Sequence, residues 1–331
     1  MIRVDTTKIF EEVERLKPKT IFIVAPDGLL KEAQALASTL EARGVEAVVS
    51  GEACYGACDL KEDAAEAIKA DLILHIGHTL HINRVGRRTI FIAAEDDIRF
   101  NKVIEKAAQS LKRFKKIGLY TISQHLYRLA EAKKLFEDYE FEVKIDQGGK
   151  LSYGQIIGCE FQSAYSIKDE VDAFVFLGQS SFHAAALALS TAKPTYMLDP
   201  YLEEVIDTAP LAVDLWKKSV LAVYKAREAE KFGIILGLRE GQMKIGQAKH
   251  IRKELAKHGK QSTLIAMREI SAERLNTFTW FDAFIQTACP RISIDGSGFN
   301  KPVLSIPQAY ALLNLLKGKD VGEFLRVPSW I

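Results

Sequence analysis

Short apolar runs alternate along this chain with longer stretches of helical period. Residues 1–19 read as a leading amphipathic helix that ends near Lys17-Pro18. The apolar run 20–24 has the length of a buried strand. Asp27 is placed to cap the next helix, whose apolar face is Leu29, Ala33, Leu36 and Leu40, with Gly44 closing it. A second strand is expected at 46–50, followed by a loop carrying Cys58. A helix at about 60–70 then leads to a third strand, 71–76, which ends in Gly77-His78, and 89–92 is a fourth apolar run.

The pattern restarts twice. Strands are expected at 117–121, 140–145, 172–177 and 194–198, with a helix marked by Leu126, Leu129, Ala132 and Leu135, and Cys159 in the loop after the second strand. The third round has strands at 232–236, 262–267, 282–287 and 302–306, and a helix face of Ile245, Ala248, Ile251 and Leu255 closed by Gly259. Residues 94–116 and 200–231 read mainly as helical connectors, and 309–313 belong to a closing helix. Strands alternating with helices imply parallel sheets, because a parallel return needs a crossover. The period is too long for a solenoid. The expected fold is α/β: three related domains, each a small parallel four-stranded sheet flanked by helices, arranged around a common centre. The division is 1–110 with Cys58, 111–215 with Cys159 and 216–331 with Cys289.

A chain of 331 residues exceeds what one core usually supports, which agrees with several units. Hydrophobic content of 48% and charged content of 27% are ordinary for a soluble globular protein, and a net charge of +2 does not select an acidic partner. No apolar run reaches the length of a membrane span, and the first residues lack the apolar core of a signal peptide. A cytoplasmic protein without nucleic-acid or membrane partners is expected. No Walker loop, no GxGxxG after a strand and no GxSxG elbow is present. Four cysteines in a chain of this size do not suggest a disulfide framework; they suggest packing, a reactive thiol or metal ligands.

Ligands collect at the carboxyl ends of parallel strands. Cys58 and Cys159 follow the second strand of their units and Cys289 the third, so all three fall on that side. Three thiolates suit a 4Fe–4S cluster with one open iron, or a zinc with one open position. The plain alternative is three buried apolar residues. Cys54, four residues before Cys58, has no counterpart in the other units and reads as packing. His75, His78 and His81 fall three apart, but His75 lies in a strand, so His75 and His81 read as structural while His78, after a terminal glycine, faces a ligand. His183 holds the matching place in the second unit, after Gly178-Gln179-Ser180-Ser181-Phe182, where free backbone N–H groups can meet an anion. Arg239-Glu240-Gly241-Gln242 follows the first strand of unit three, and Arg291, Ser293 and Asp295 follow Cys289; an arginine there can fork onto a carboxylate, although a surface salt bridge is the plainer reading.

Taken together, Tyr-Gly-Ala-Cys-Asp at 55–59, Gly-His at 77–78, Gly-Cys at 158–159, Gly-x-x-x-Phe-His at 178–183, Gly-Gln at 241–242 and Ala-Cys-Pro-Arg-Ile-Ser-Ile-Asp at 288–295 resemble the diphthamide-synthesis enzyme family in its archaeal type. The resemblance spans nearly the whole chain; Cys54 and 296–298 lie outside it. It implies a 4Fe–4S cluster on Cys58, Cys159 and Cys289, S-adenosylmethionine as substrate, and a homodimer served by an electron donor. It implies transfer of the 3-amino-3-carboxypropyl group to a histidine of elongation factor 2 by a radical route. The CxxxCxxC loop of ordinary radical enzymes is missing from that family and from this chain. Tyr55, Gly56, His78, Gly178, Gln179, His183, Gln242, Arg291 and Asp295 are the expected contacts to substrate. Two other readings stand beside it: a quinolinate-synthase-like cluster enzyme acting on small acids, and a non-enzymatic protein with a zinc or apolar centre.

Overall fold

The structure is a computed structural model that describes residues 2–78, 89–149 and 151–331. Its strands are β1 (Ile2–Val4), β2 (Thr20–Val24), β3 (Glu46–Val49), β4 (Leu72–Ile76), β5 (Thr89–Ile92), β6 (Ala94–Asp96), β7 (Lys116–Thr121), β8 (Glu142–Lys144), β9 (Ala173–Leu177), β10 (Thr195–Asp199), β11 (Glu204–Asp207), β12 (Lys231–Gly237), β13 (Gln261–Met267), β14 (Ala283–Gln286) and β15 (Val303–Leu304). Three main sheets form, ordered β3-β2-β4-β5, β8-β7-β9-β10-β11 and β12 between β13 and β14-β15. In each, the unit's second strand lies at one edge and its first strand lies between the second and third. The triplication read from the sequence is therefore a triplication of topology.

One side chain marks the repeat at atomic detail. The aspartate just before each third strand accepts two N–H groups from the start of the first strand. Asp71 takes those of Lys19 and Thr20 at 2.7 and 3.0 Å. Asp172 takes those of Lys115 and Lys116 at 2.9 and 2.8 Å, and Asp282 those of Glu230 and Lys231 at 3.0 and 2.8 Å. Edge donors at the amino ends of the sheets are thereby satisfied, which leaves the carboxyl ends for function.

Both faces of each sheet are covered, so the central strands are mostly apolar rather than alternating, with His75 in β4 and Gln286 in β14 as buried polar exceptions. On the second sheet, Tyr120, Phe174 and Phe176 pack on one side under the helix Ser181–Thr191, while Leu119, Val175 and Leu177 pack on the other under Leu129–Asp138.

Several local expectations are corrected. The chain opens with β1, which pairs antiparallel with β6, and the helix begins only at Thr6, capped by Asp5. Asp27 does not cap a helix: Pro26 precedes a 3-10 turn at Asp27–Leu29, and the helix Leu30–Glu41 follows without a side-chain cap. The second sheet gains an antiparallel edge strand, β11, beyond its four parallel ones. The helix Asn101–Ser110 packs on the second sheet, and Ala209–Arg227 runs unbroken through positions 215 and 216. His81 lies outside the described residues.

Candidate metal centre

The three cysteines arrive from three sheets and line one cavity of about 1140 Å³. None forms a disulfide. Each lies in a loop whose carbonyl is pinned. The Cys58 carbonyl accepts from Gly241 N–H at 2.9 Å, that of Cys159 from Trp330 N–H at 3.0 Å, and that of Cys289 from the Gln286 side-chain amide at 2.9 Å. The backbones are fixed and the thiols are left to face the cavity. Burial pushes all three thiols above the ordinary cysteine range. Cys159 is raised well above that range, first by burial and then by Cys289 and Cys58. Such a site favours neutral thiols until a cation is present to hold thiolates.

The third unit grips the Cys58 loop. Gln242 donates its side-chain amide to Cys58 Sγ at 3.2 Å. The Glu240 carboxylate accepts from Leu60 N–H and Glu62 N–H at 3.1 and 3.0 Å, meeting orphan donors at the start of the helix Glu62–Ala67. Arg239 reaches the buried Asp59 at 3.4 Å and Glu269 at 2.7 Å, and its guanidinium covers the Tyr55 ring at 4.0 Å. Burial raises the Asp59 carboxyl, and Lys61 and Arg239 oppose that rise.

A strap from the far end of the chain holds the Cys159 loop. Trp330, 1% exposed, packs edge-on against Phe161 and Phe182, and donates Nε1–H to the Leu325 carbonyl at 2.9 Å.

Tyr55, Gly56, His78, His183 and Arg291 line the cavity with the cysteines. The His78 and His183 imidazoles are pushed down to about 4; burial is the main cause in both, with Arg291 adding to it at His183. Both are neutral at physiological pH. Ser180 caps the helix Ser181–Thr191 and contacts His183 Nδ1, while the absent side chain of Gly158 leaves room beside the same ring. Arg291 lies over the Phe182 ring at 4.6 Å and donates to Asp295 at 2.7 Å. Asp295, Gln242, buried Gly178 and exposed Gln179 are not among the described residues that line the cavity; Gln242 bears on it through Cys58 Sγ. The sequence reading missed Gln155, Lys244 and Ser329, which do line it. Lys244 stands two residues beyond the Gly-Gln pair, a signal that was available; nothing in the sequence pointed to the strap.

Residues 25–323 match the family described as "Putative diphthamide synthesis protein". The chain belongs to this family. It is 33% identical to the 2-(3-amino-3-carboxypropyl)histidine synthase of Pyrococcus horikoshii, over 97% of this chain and 94% of that one. It is 30% identical to subunit 1 of the synthase of Schizosaccharomyces pombe, over 92% of this chain and 72% of that one. The crystal structure of Dph2 from Pyrococcus horikoshii with a 4Fe-4S cluster superposes with a TM-score of 0.88 at 32% identity, covering 99% of this chain and 96% of that one. Family membership thus rests on sequence and fold together. Among the described residues no helix is long and apolar enough to cross a membrane.

Proposed function

We propose that this chain transfers the 3-amino-3-carboxypropyl group of S-adenosylmethionine to an imidazole carbon of one histidine in elongation factor 2. The observation that carries this reading is that three unpaired thiols, one per sheet, line a single cavity. Three thiolates hold three corners of a 4Fe–4S cubane and leave one iron free for a substrate, so Cys58, Cys159 and Cys289 fit that group. When bound, the cluster supplies one electron to the sulfonium, so that the bond from sulfur to the methionine γ-carbon breaks and methylthioadenosine leaves.

The chain's own residues bind and aim. Arg291 and Lys244 are the cavity cations available to the substrate carboxylate, and Asp295 holds Arg291 in place. His78 and His183, both neutral, offer hydrogen bonds without adding positive charge beside a sulfonium. Gly56 and Gly158 leave room on the wall. Tyr55, ring exposed, stands at the margin with Arg239 behind it. Gly178 and Gln179 act through the start of the helix that carries His183. Three domains, a homodimer and a separate one-electron donor complete the reading.

The test is anaerobic. Reconstituted protein is incubated with a reductant, S-adenosylmethionine and archaeal elongation factor 2. A mass gain on the factor, with release of methylthioadenosine, is expected. Cys58→Ala should lose both iron and activity. An unchanged factor beside an intact, reduced cluster would reject the proposal.

A further inference from the structure

The loop that carries Cys58 also carries Cys54, and the structure gives that cysteine two partners outside the three-thiol set. Cys54 Sγ lies 3.6 Å from Nε2 of His75, a side chain with no exposed surface. His75 sits in β4; Gly77, at φ +88°, turns the chain so that the His78 ring comes back within 5.2 Å of the His75 ring. One donor atom from each of Cys54, His75 and His78 lies within 4.8 Å of the other two.

From this geometry we infer a second metal site: a zinc ion held by Cys54, His75 and His78, with a fourth position left to water or another small ligand. One sulfur and two imidazole nitrogens are a borderline-soft donor set of the kind zinc takes with three protein ligands. In a tetrahedral zinc site, with Zn–S about 2.3 Å and Zn–N about 2.0–2.1 Å, sulfur and nitrogen ligands stand roughly 3.5 Å apart. The Cys54–His75 separation already matches this. Packing alone is a poorer account, because a buried histidine kept for structure ordinarily uses both ring nitrogens. Here Nδ1 of His78 is buried with no hydrogen-bond partner among the described residues, which leaves that ring a nitrogen for an ion; Nδ1 of His75 is also unpartnered, but it is not the atom beside Cys54 and gains nothing from the metal. His75 Nε2 also approaches the Asp59 carbonyl at 3.3 Å, so without metal that carbonyl is a partner open to it. Both imidazoles are held neutral by burial, which is the form that ligates.

The site has a mechanical consequence. Cys54 precedes Cys58 by one short turn of loop, so an ion tying Cys54 to β4 fixes the segment that presents Cys58 to the cavity. The ligands lie outside the three-thiol set, but His78 also lines the cavity, so with zinc bound His183 alone keeps the hydrogen-bonding role given to the pair; the metal count below tests the site without the proposed activity.

Iron and zinc are counted on the same cluster-loaded chain after anaerobic equilibration with one equivalent of zinc and dialysis. One zinc per chain beyond the cluster iron is expected, and Cys54→Ala should lose the zinc while keeping the iron. A chain that retains no zinc, or equal zinc in Cys54→Ala, would overturn the site. Should that variant fail to fold, zinc-edge absorption on the unaltered chain decides. One sulfur with nitrogen neighbours supports the site. A shell of three sulfurs puts the zinc on Cys58, Cys159 and Cys289 and rejects it, and that outcome also separates its failure from failure of the cluster reading.

Discussion

Gly241 donates its N–H to the Cys58 carbonyl at 2.9 Å, and a methyl group built on this glycine would stand 2.6 Å from both Cα and Cβ of Cys58. The contact is backbone against backbone, so no flexible side chain can move aside. Gly241→Ala should push the Cys58 loop off the third unit at a cost of about 1–3 kcal/mol, as overpacking does. Iron content after anaerobic reconstitution checks this: the variant should hold less iron than the parent, and full retention with unchanged thermal stability would show that the loop adapts.

Gln242 bears on electronics more than on shape. Its amide points at Cys58 Sγ. A donor to a cluster thiolate favours the more reduced, more negative state, so Gln242→Leu should lower the midpoint potential of the bound cluster, by an amount on the order of tens of millivolts. A redox titration followed by electron paramagnetic resonance reads it. A potential that rises or stays put would mean that the hydrogen bond does not act on the cluster.

Trp330 separates packing from hydrogen bonding. Trp330→Ala empties a site between Phe161 and Phe182 and should cost about 3–5 kcal/mol in urea unfolding. Trp330→Phe keeps a ring there and loses chiefly the Nε1–H bond to Leu325, a loss of about 1 kcal/mol. The expected order of stability is Trp, Phe, Ala. Equal loss in both variants would place the energy in the hydrogen bond instead.

Acid stability should reflect the strand-start aspartates. Backbone N–H groups of Lys116 and Lys115 hold the Asp172 carboxyl below its usual range, and those of Lys231 and Glu230 do the same for Asp282. A carboxyl depressed in the folded state stabilises the fold above its unfolded value, at about pH 4, and that contribution fades as pH falls through the folded value. Both groups are solvent-exposed, so each effect is modest. Unfolding measured from neutral pH down to pH 2 should show a shallower acid limb in Asp172→Asn and Asp282→Asn than in the parent. A parallel acid limb would remove these residues from the account.

What could be read from the sequence follows the range of the interactions involved. β2 and β5 fall where their apolar runs lie, because a buried parallel strand declares itself in four or five residues. β1 and β11 escaped because three or four half-exposed residues carry no period, and each exists through a partner strand supplied by the fold. Asp27 looked like a cap but is spent in a 3-10 turn. The three cysteines stood out because nothing near them explained them. The groups that hold them, Gly241 and Trp330, did not, because they act through main-chain atoms from distant segments. Cys54 has no repeat counterpart and read as packing; in the fold its sulfur lies beside His75 and within 4.8 Å of a ring nitrogen of His78, a proximity no local pattern announces.

The three thiols come from segments about a hundred or more residues apart. Anything that bonds all three would therefore work as a staple on the denatured chain as well as a reaction centre. Closing a loop of about 100 residues with a covalent link can contribute as much as about 4–5 kcal/mol. Oxygen damage at the centre would thus loosen the whole molecule, so that inactivation and susceptibility to proteolysis arrive together and spent copies become the ones most readily degraded.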